Sequence, residues 1–131
     1  MSSSHALLAD FKRALDEFDQ ALRLPPENNV VRAGCIQYFE FTFELAWKAI
    51  KRLAQEEGIA DCNSPRSALR AAFANHWIDH ELLWLEMLEA RNRMAHTYNA
   101  ANALDVYQRL PLFLPEFQKL AITLSDKMTN D

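Results

Sequence analysis

The sequence predicts an all-α protein, an antiparallel four-helix bundle with one extra short helix. Apolar residues recur at helical spacing along most of the 131 residues, and turn-forming residues separate these segments. Only two glycines occur, Gly34 and Gly58, which argues against a hairpin-rich β fold. The length suits a single helical domain, residues 1–131, with its own core.

Capping and breaking residues set the predicted boundaries. The five predicted helices run over residues 4–24, 30–57, 65–75, 79–98 and 99–127. Ser4 is expected to cap the first helix, and a Pro-Pro-Glu-Asn-Asn stretch follows it. Gly58 is a suitable residue to end the second helix. Ser64 followed by Pro65 is a typical start for the third.

The last two helices each have more than one candidate starting residue. Asp79 or a near neighbour starts the fourth helix, and either Asn99 or Asn102 caps the fifth. Pro111 and Pro115 lie inside the fifth segment. Because proline removes an intrahelical hydrogen bond, we expect a kink or a break there.

The composition excludes several classes of site. Phosphate-binding loops and dinucleotide fingerprints need several glycines in one short stretch, and the chain has no such stretch. It also lacks the Gly-Ser loop and paired aspartates of a nucleotidyltransferase. Cys35 and Cys62 have no metal-ligand spacing, and His76 and His80 lack a third ligand at a fixed spacing. We therefore expect no cofactor and no metal site.

The net charge of −4 means that the surface as a whole does not attract nucleic acid. Binding of RNA or a nucleotide must therefore come from a local basic concavity, and no DNA partner is expected. The N-terminal Met-Ser-Ser-Ser-His has no apolar signal core, and no apolar run approaches a membrane span. We expect a cytoplasmic protein with no membrane partner.

The second predicted helix carries two apolar stripes. One consists of Ile36, Phe39, Phe43, Trp47 and Ile50. The other, on roughly the opposite side, consists of Gly34, Tyr38, Phe41 and Leu45. Either the helix is buried all round, or the second stripe meets a partner. Because large apolar patches usually mark interfaces, a homodimer is favoured over a monomer.

Polar residues interrupt the apolar face of the fourth predicted helix. Arg91 and Tyr98 are two turns apart and lie on the apolar side, while Asn92 and His96 share a flanking face. An arginine on an apolar stripe is costly unless it pairs or serves a ligand. Histidine and tyrosine nearby add proton-transfer and anion-binding capacity.

A structural explanation of the same residues stays open. Arg91 could pair with a carboxylate of the second helix, such as Glu40 or Glu44, and His96 could be a helix-end histidine favoured by the dipole. Spacing alone does not decide between the two interpretations.

The stretch Arg91-Asn92-x3-His96-x-Tyr98 resembles the Arg-x4-6-His motif of the HEPN superfamily, in the form that ends His-x-Tyr. Two longer segments are similar to signatures of the nucleotidyltransferase substrate-binding protein family. They are Phe-Glu-Phe-Thr-Phe-Glu-Leu-Ala-Trp-Lys at residues 39–48 and Trp-Leu-Glu-Met-Leu-Glu-Ala-Arg-Asn at residues 84–92. The resemblance runs from the first predicted helix to the last.

This resemblance implies a dimeric helical bundle encoded beside a separate minimal nucleotidyltransferase. In the toxin branch of the family, the protein is a metal-independent ribonuclease whose site forms across the dimer axis. The resemblance makes Arg91 and His96 the catalytic pair and Asn92 the supporting polar residue. Tyr98 is then the residue to which the partner transfers AMP, which neutralises the toxin.

The resemblance also leaves a second function open, a non-catalytic subunit that presents substrate to the nucleotidyltransferase. The acidic net charge suits this alternative, whereas the intact Arg, Asn, His and Tyr set favours the ribonuclease. Basic residues near the end of the second helix and in the third could be solvated cations or a phosphate track. These residues are Lys48, Lys51, Arg52, Arg66 and Arg70.

Overall fold

The computed structural model describes residues 3–25, 28–59, 62–96 and 99–129, and these form five helices. The helices are α1 (Ser4–Leu22), α2 (Asn29–Glu56), α3 (Pro65–Ala74), α4 (Glu81–His96) and α5 (Ala100–Thr129). The all-α prediction is confirmed, and no strand occurs in the described ranges. None of the helices traced in these ranges is both long and apolar enough to span a bilayer.

Most helix ends follow the predicted capping chemistry. Ser64 and Ser67 form a reciprocal capping box ahead of Pro65, and Gly58 has a φ of 75° just after α2. The first cap is Ser3, not the predicted Ser4, because the Ser3 hydroxyl accepts the Ala6 N–H at 3.1 Å. Ser4 is instead buried in the first turn of the helix.

The fourth helix starts at Glu81, two residues after the predicted Asp79. Its predicted end at Tyr98 lies outside the described residues, which show the helix up to His96. Of the two candidate caps for α5, Asn99 is the one used, since its side chain accepts the Asn102 N–H at 2.9 Å.

Of the predicted kink or break in α5, the break does not occur, because one helix continues through both prolines. Pro111 and Pro115 are four residues apart, so their rings lie on the same face. Both are exposed, and water can therefore solvate the carbonyl groups that lose their donors. The opposite face of this segment keeps Leu110, Phe113 and Phe117 fully buried.

Contacts between distant residues define an antiparallel bundle. The Ser4 hydroxyl donates to Glu56 at 2.7 Å and the Cys35 thiol donates to the Ala21 carbonyl at 3.4 Å, so α1 and α2 run in opposite directions. Lys12 reaches Ser125 at 3.0 Å and Phe18 packs edge-on against Phe117, so α1 is antiparallel to α5 as well.

Aromatic rings fill the centre of the bundle. Phe39 of α2 lies 5.3 Å from Phe113 and 6.2 Å from Phe117 between ring centroids, and Phe117 also packs edge-on against Trp84 of α4. The first predicted stripe of α2 is confirmed as core, since all five of its residues are buried. This core fixes the rotation of α2 and α4 about their axes, and thereby the position of Arg91.

Candidate functional site

The candidate site is built on the second half of α4, where it runs beside α2. The buried face of α4 consists of Trp84, Met87, Leu88, Ala90 and Met94. Packing of this face leaves Arg91 at the boundary between core and solvent, with 28% of its side chain exposed. The position is apolar on one side and open to a ligand on the other.

Arg91 is held by two polar partners. Its Nη2 donates to Oε2 of Glu44 on α2 at 2.8 Å, and its Nη1 donates to Oδ1 of Asn92 at 3.0 Å. The guanidinium is therefore fixed in orientation while part of it faces solvent. The pairing with a carboxylate of α2, one of the two interpretations left open by the sequence, is present in the structure.

The two carboxylates beside Arg91 respond in opposite directions. Burial alone would raise the pKa of Glu44, but Trp47, Arg91 and Lys48 together outweigh it and the pKa is lowered. The Trp47 N–H lowers the pKa of Glu44 from a position outside hydrogen-bond geometry. Its buried Nε1 has no hydrogen-bond partner among the described residues. Burial raises the pKa of Glu40, and the charge of Arg91 offsets this only in part.

These opposite shifts predict opposite pH effects of two matched substitutions. A lowered pKa means that Glu44 stabilises the fold at neutral pH and loses this contribution as the pH falls from about 4.3 through the folded-state value. Glu44→Gln is expected to cost about 1 kcal/mol or less, since the pair is partly exposed, and to flatten the fall in stability on acidification.

Glu40→Gln is the matched control. The raised pKa of Glu40 means that its charged form costs stability at neutral pH, and the cost disappears on acidification. Its replacement should therefore raise stability at neutral pH and steepen the fall on acidification. Urea unfolding between neutral pH and about pH 3 measures both slopes. An acid slope that Glu44→Gln does not flatten would contradict the pairing of Arg91 with Glu44.

His96 is the last residue of α4 and is exposed. It lies five residues after Arg91, so an ideal helix turns the two side chains about 140° apart. The structure brings together Arg91 and Asn92 but does not bring His96 to them in one chain. Thr97 and Tyr98 lie outside the described residues.

Arg93, the other arginine of this segment, faces a different helix. It pairs with Asp105 of α5 at 2.8 Å, and Arg109 of α5 forms two hydrogen bonds with Glu86 at 2.5 and 2.7 Å. These two ion pairs set α4 antiparallel to α5. Arg93 therefore faces α5, and Arg91 is the arginine that faces α2.

Sequence reasoning missed a second arginine at the same end of the bundle. Arg32 of α2 lines a cavity of about 230 Å³ with Asn29 and Asn99, next to the end of α4. Its Nη1 donates to Asn29 at 3.0 Å, and its guanidinium lies 5.8 Å from the Tyr107 ring. Arg32 lies four residues before Ile36, on the first apolar stripe of α2. An arginine on an apolar stripe is the pattern that pointed to Arg91, and the same pattern could have pointed to Arg32.

Two further features were considered from sequence. Among the described residues, no group of three His, Cys, Asp or Glu side chains could hold a metal ion. His80 instead lies with its Nδ1 3.9 Å from Glu116. The second stripe of α2 is only partly covered, and Phe41 is 50% exposed beside Tyr38.

Comparisons with known proteins agree with this architecture. Residues 7–126 match the family model described as nucleotidyltransferase substrate binding protein like. A protein of Haemophilus influenzae named "Probable ribonuclease HepT" is 34% identical over an alignment of 88 residues, which covers 64% of this chain and 60% of that relative. The chain thus matches about three-fifths of this relative's length.

A crystal structure of a protein from Thermus thermophilus has the same fold. It superimposes with a TM-score of 0.80 at 28% identity, covering 87% of this chain and 98% of that one. The family match spans nearly all of the five-helix bundle, including both longer signatures and Arg91, Asn92 and His96. This chain therefore belongs to the nucleotidyltransferase substrate-binding protein family of the HEPN superfamily.

Proposed function

We propose that this protein is the HEPN subunit of a two-component module and acts as a metal-independent endoribonuclease. The observation that carries the proposal is the arrangement on α4. Arg91 is oriented by Glu44 and Asn92 yet open to solvent, and exposed His96 follows within two turns. Similarity to a relative named as a probable ribonuclease supports it.

The proposed reaction is attack of an RNA 2′-hydroxyl on the adjacent phosphorus. A base takes the 2′-hydroxyl proton as the new O–P bond forms, and an acid donates a proton to the departing 5′-oxygen as the P–O bond breaks. A cation must stabilise the charge on the phosphorane. Arg91 is suited to the last role, and His96 to proton transfer. The products are a 2′,3′-cyclic phosphate and a 5′-hydroxyl end.

A second copy of the chain would complete this site. One chain does not bring His96 to Arg91, whereas two α4 helices meeting at a two-fold axis could supply two histidines and the arginines. The half-covered stripe of α2 offers a surface for the second copy, since exposed Phe41 lies one residue after Glu40 and three residues before Glu44 on the same helix. We therefore propose a homodimer.

The reaction is tested with purified protein and a single-stranded RNA oligonucleotide in excess EDTA. We expect cleavage with cyclic phosphate ends, and no cleavage of DNA of the same sequence, which lacks the 2′-hydroxyl. His96→Ala should lose at least about a hundredfold in rate. His80→Ala, an exposed histidine at the other end of α4, should keep it. Cleavage that needs a metal, or that also cuts DNA, would contradict the mechanism.

The proposed partner is a minimal nucleotidyltransferase encoded nearby, which transfers AMP from ATP to the Tyr98 hydroxyl. A phosphoester bond to the tyrosine oxygen forms as the bond between the α- and β-phosphates breaks, and pyrophosphate leaves. Phosphate attached there would compete with substrate phosphate for the catalytic arginine. Intact-mass measurement should show that protein co-expressed with the partner has gained adenylyl mass. The RNA assay should show that this protein cuts more slowly than protein expressed alone. Tyr98→Phe should gain no mass, and an unchanged mass of the wild type would remove this part of the proposal.

The alternative function is a non-catalytic subunit that presents substrate to the partner. The ion pair between Arg91 and Glu44 favours it, because a paired arginine needs no catalytic role to explain its position. The same assay separates the two functions. A folded wild-type protein that is expressed without the partner, carries no AMP and still cuts no RNA would support the presenting subunit.

A further inference from the structure

Beside the candidate site, α2 and α1 form an open groove lined mainly by basic and polar side chains, which we call the basic groove. Its volume is about 370 Å³. The residues lining it are Leu7, Trp47, Lys48, Lys51, Arg52 and Gln55. The last four lie at helical spacing on one face of α2, over about 10.5 Å of helix. The groove is therefore a continuous basic surface on a protein of net charge −4.

Helix-end electrostatics do not account for these cations. The stabilising effect of the helix dipole is confined to the last turn, and the last turn of α2 holds no basic residue. Local ion pairing does not account for them fully either. Lys48 lies 3.5 Å from Glu44 and Arg52 lies 3.7 Å from Glu56, both longer than a hydrogen bond.

Lys51 has no carboxylate partner among the described residues. Its ammonium lies 6.0 Å from the centre of the Trp47 ring, and its side chain is half-buried. Three cations thus face two carboxylates, and one positive charge stays unneutralised in a concave place. A concave surface with excess positive charge attracts an anion.

The groove leads directly to Arg91. One oxygen of Glu44 accepts from Arg91 at 2.8 Å while the other faces Lys48 at 3.5 Å. Lys48 is the first basic residue of the groove, and Lys51 and Arg52 follow one turn further along α2. Cationic groups therefore follow one another from Arg91 to the far end of the groove.

We propose that the basic groove binds the phosphate backbone of the RNA on one side of the cleaved bond. This inference rests on the proposed ribonuclease function and names the path of its substrate. Trp47 is only 9% exposed, so it offers no face on which a base could stack. Binding is therefore through phosphates, which position the strand without reading its sequence.

The test measures binding separately from cleavage. The probe is a fluorescein-labelled 2′-O-methyl oligouridine of about 12 nucleotides, which cannot be cut by 2′-hydroxyl attack. Fluorescence anisotropy is recorded from roughly 50 to 200 mM KCl. Each phosphate neutralised on a single strand contributes about −0.7 to the slope of log K against log salt. The triple variant Lys48→Gln, Lys51→Gln, Arg52→Gln should reduce that slope by about 2.

A matched triple variant controls for net charge. Lys12→Gln, Arg13→Gln, Arg23→Gln removes the same charge from exposed positions in and directly after α1 and should leave the slope nearly unchanged. A Lys51→Gln single variant, which disturbs no ion pair, should reduce the slope by about 0.7 and guards against misfolding of the triple. Equal slopes for both triples, or an unchanged slope for the groove triple, would overturn the inference.

Cleavage of an unmodified RNA by the same proteins separates this inference from the proposed function. A groove-dependent slope in a wild type that cuts no RNA would support the groove and reject the ribonuclease. Normal cleavage with a slope unaffected by the groove residues would reject the groove alone. If the groove triple binds RNA normally but no longer co-purifies with the nucleotidyltransferase, the groove docks that protein and the RNA path is rejected.

Discussion

Replacing Arg91 with alanine is expected to lower RNA cleavage by at least about a hundredfold, the usual cost of removing one group that stabilises transition-state charge. The guanidinium is oriented before substrate binds, by Glu44 at 2.8 Å and Asn92 at 3.0 Å. A preoriented donor loses little entropy on meeting the phosphorane oxygens. Single-turnover cleavage under excess enzyme measures the loss of the chemical step separately from binding.

Arg93→Ala is the matched control for this prediction. It removes the same side chain two positions away, but its ion pair is with Asp105 of α5 and not with α2. We expect cleavage close to that of the wild type and a small loss of stability, as for other exposed ion pairs. Equal losses of activity for both variants would show that α4 needs both arginines for its structure, and would contradict a specific role for Arg91.

The fold of Arg91→Ala should survive. Glu44 loses one partner but keeps Lys48 at 3.5 Å, and 34% of its side chain is exposed, so water can replace the guanidinium. Arg91→Lys keeps the charge but loses the planar fork that reaches Glu44 and Asn92 together. It should therefore recover only part of the activity. Full recovery by lysine would mean that charge alone is needed.

The helices could be predicted from sequence because their ends depend on local chemistry. Ser64 caps α3 by a hydroxyl that reaches three residues along the chain, and Gly58 ends α2 by a backbone angle that glycine adopts easily. Neither depends on the rest of the fold. The error at Ser4 is one residue, because two adjacent serines have the same capping capacity and only the burial of Ser4 against Glu56 distinguishes them.

Of the expected kink or break in α5, the break is absent for a tertiary reason. A proline costs a helix one hydrogen bond wherever it lies, but the cost is reduced where water reaches the carbonyl. Pro111 and Pro115 meet this condition because Phe113 and Phe117 turn the opposite face inward. The sequence contains this pattern, but the gain from burying the aromatic face depends on helices that are distant along the chain.

The carboxylate that pairs with Arg91 could not be predicted from sequence alone. Glu40 and Glu44 are one turn apart on α2 and equally suited by sequence to meet Arg91. The choice of Glu44 depends on the translation of α4 along α2, which the core packing sets. Arg32 could have been found from its place on the apolar stripe of α2, but its nearness to Asn99 follows from where α5 begins beside α2.

That packing depends most on Phe39, and Phe39→Ala is expected to destabilise the protein by about 3–5 kcal/mol. The ring is fully buried and lies within 6.3 Å, centroid to centroid, of Phe18, Phe43, Phe113 and Phe117. Alanine would remove the transfer free energy of the ring and leave a cavity where three helices meet. A loss of this size is a large part of the roughly 5–15 kcal/mol typical of whole domains.

Phe73→Ala provides the comparison, because that ring on α3 is already 39% exposed and should cost about 1 kcal/mol or less. Urea unfolding at two protein concentrations measures both variants and shows whether a second copy contributes to stability.

Because Phe39 sets the rotation of α2, and α2 carries Glu44 and Lys48, the folded fraction of Phe39→Ala should also lose orientation at Arg91. Cleavage per folded molecule should therefore fall in Phe39→Ala and not in Phe73→Ala. Cleavage that merely follows the folded fraction would show that the site is independent of this part of the core.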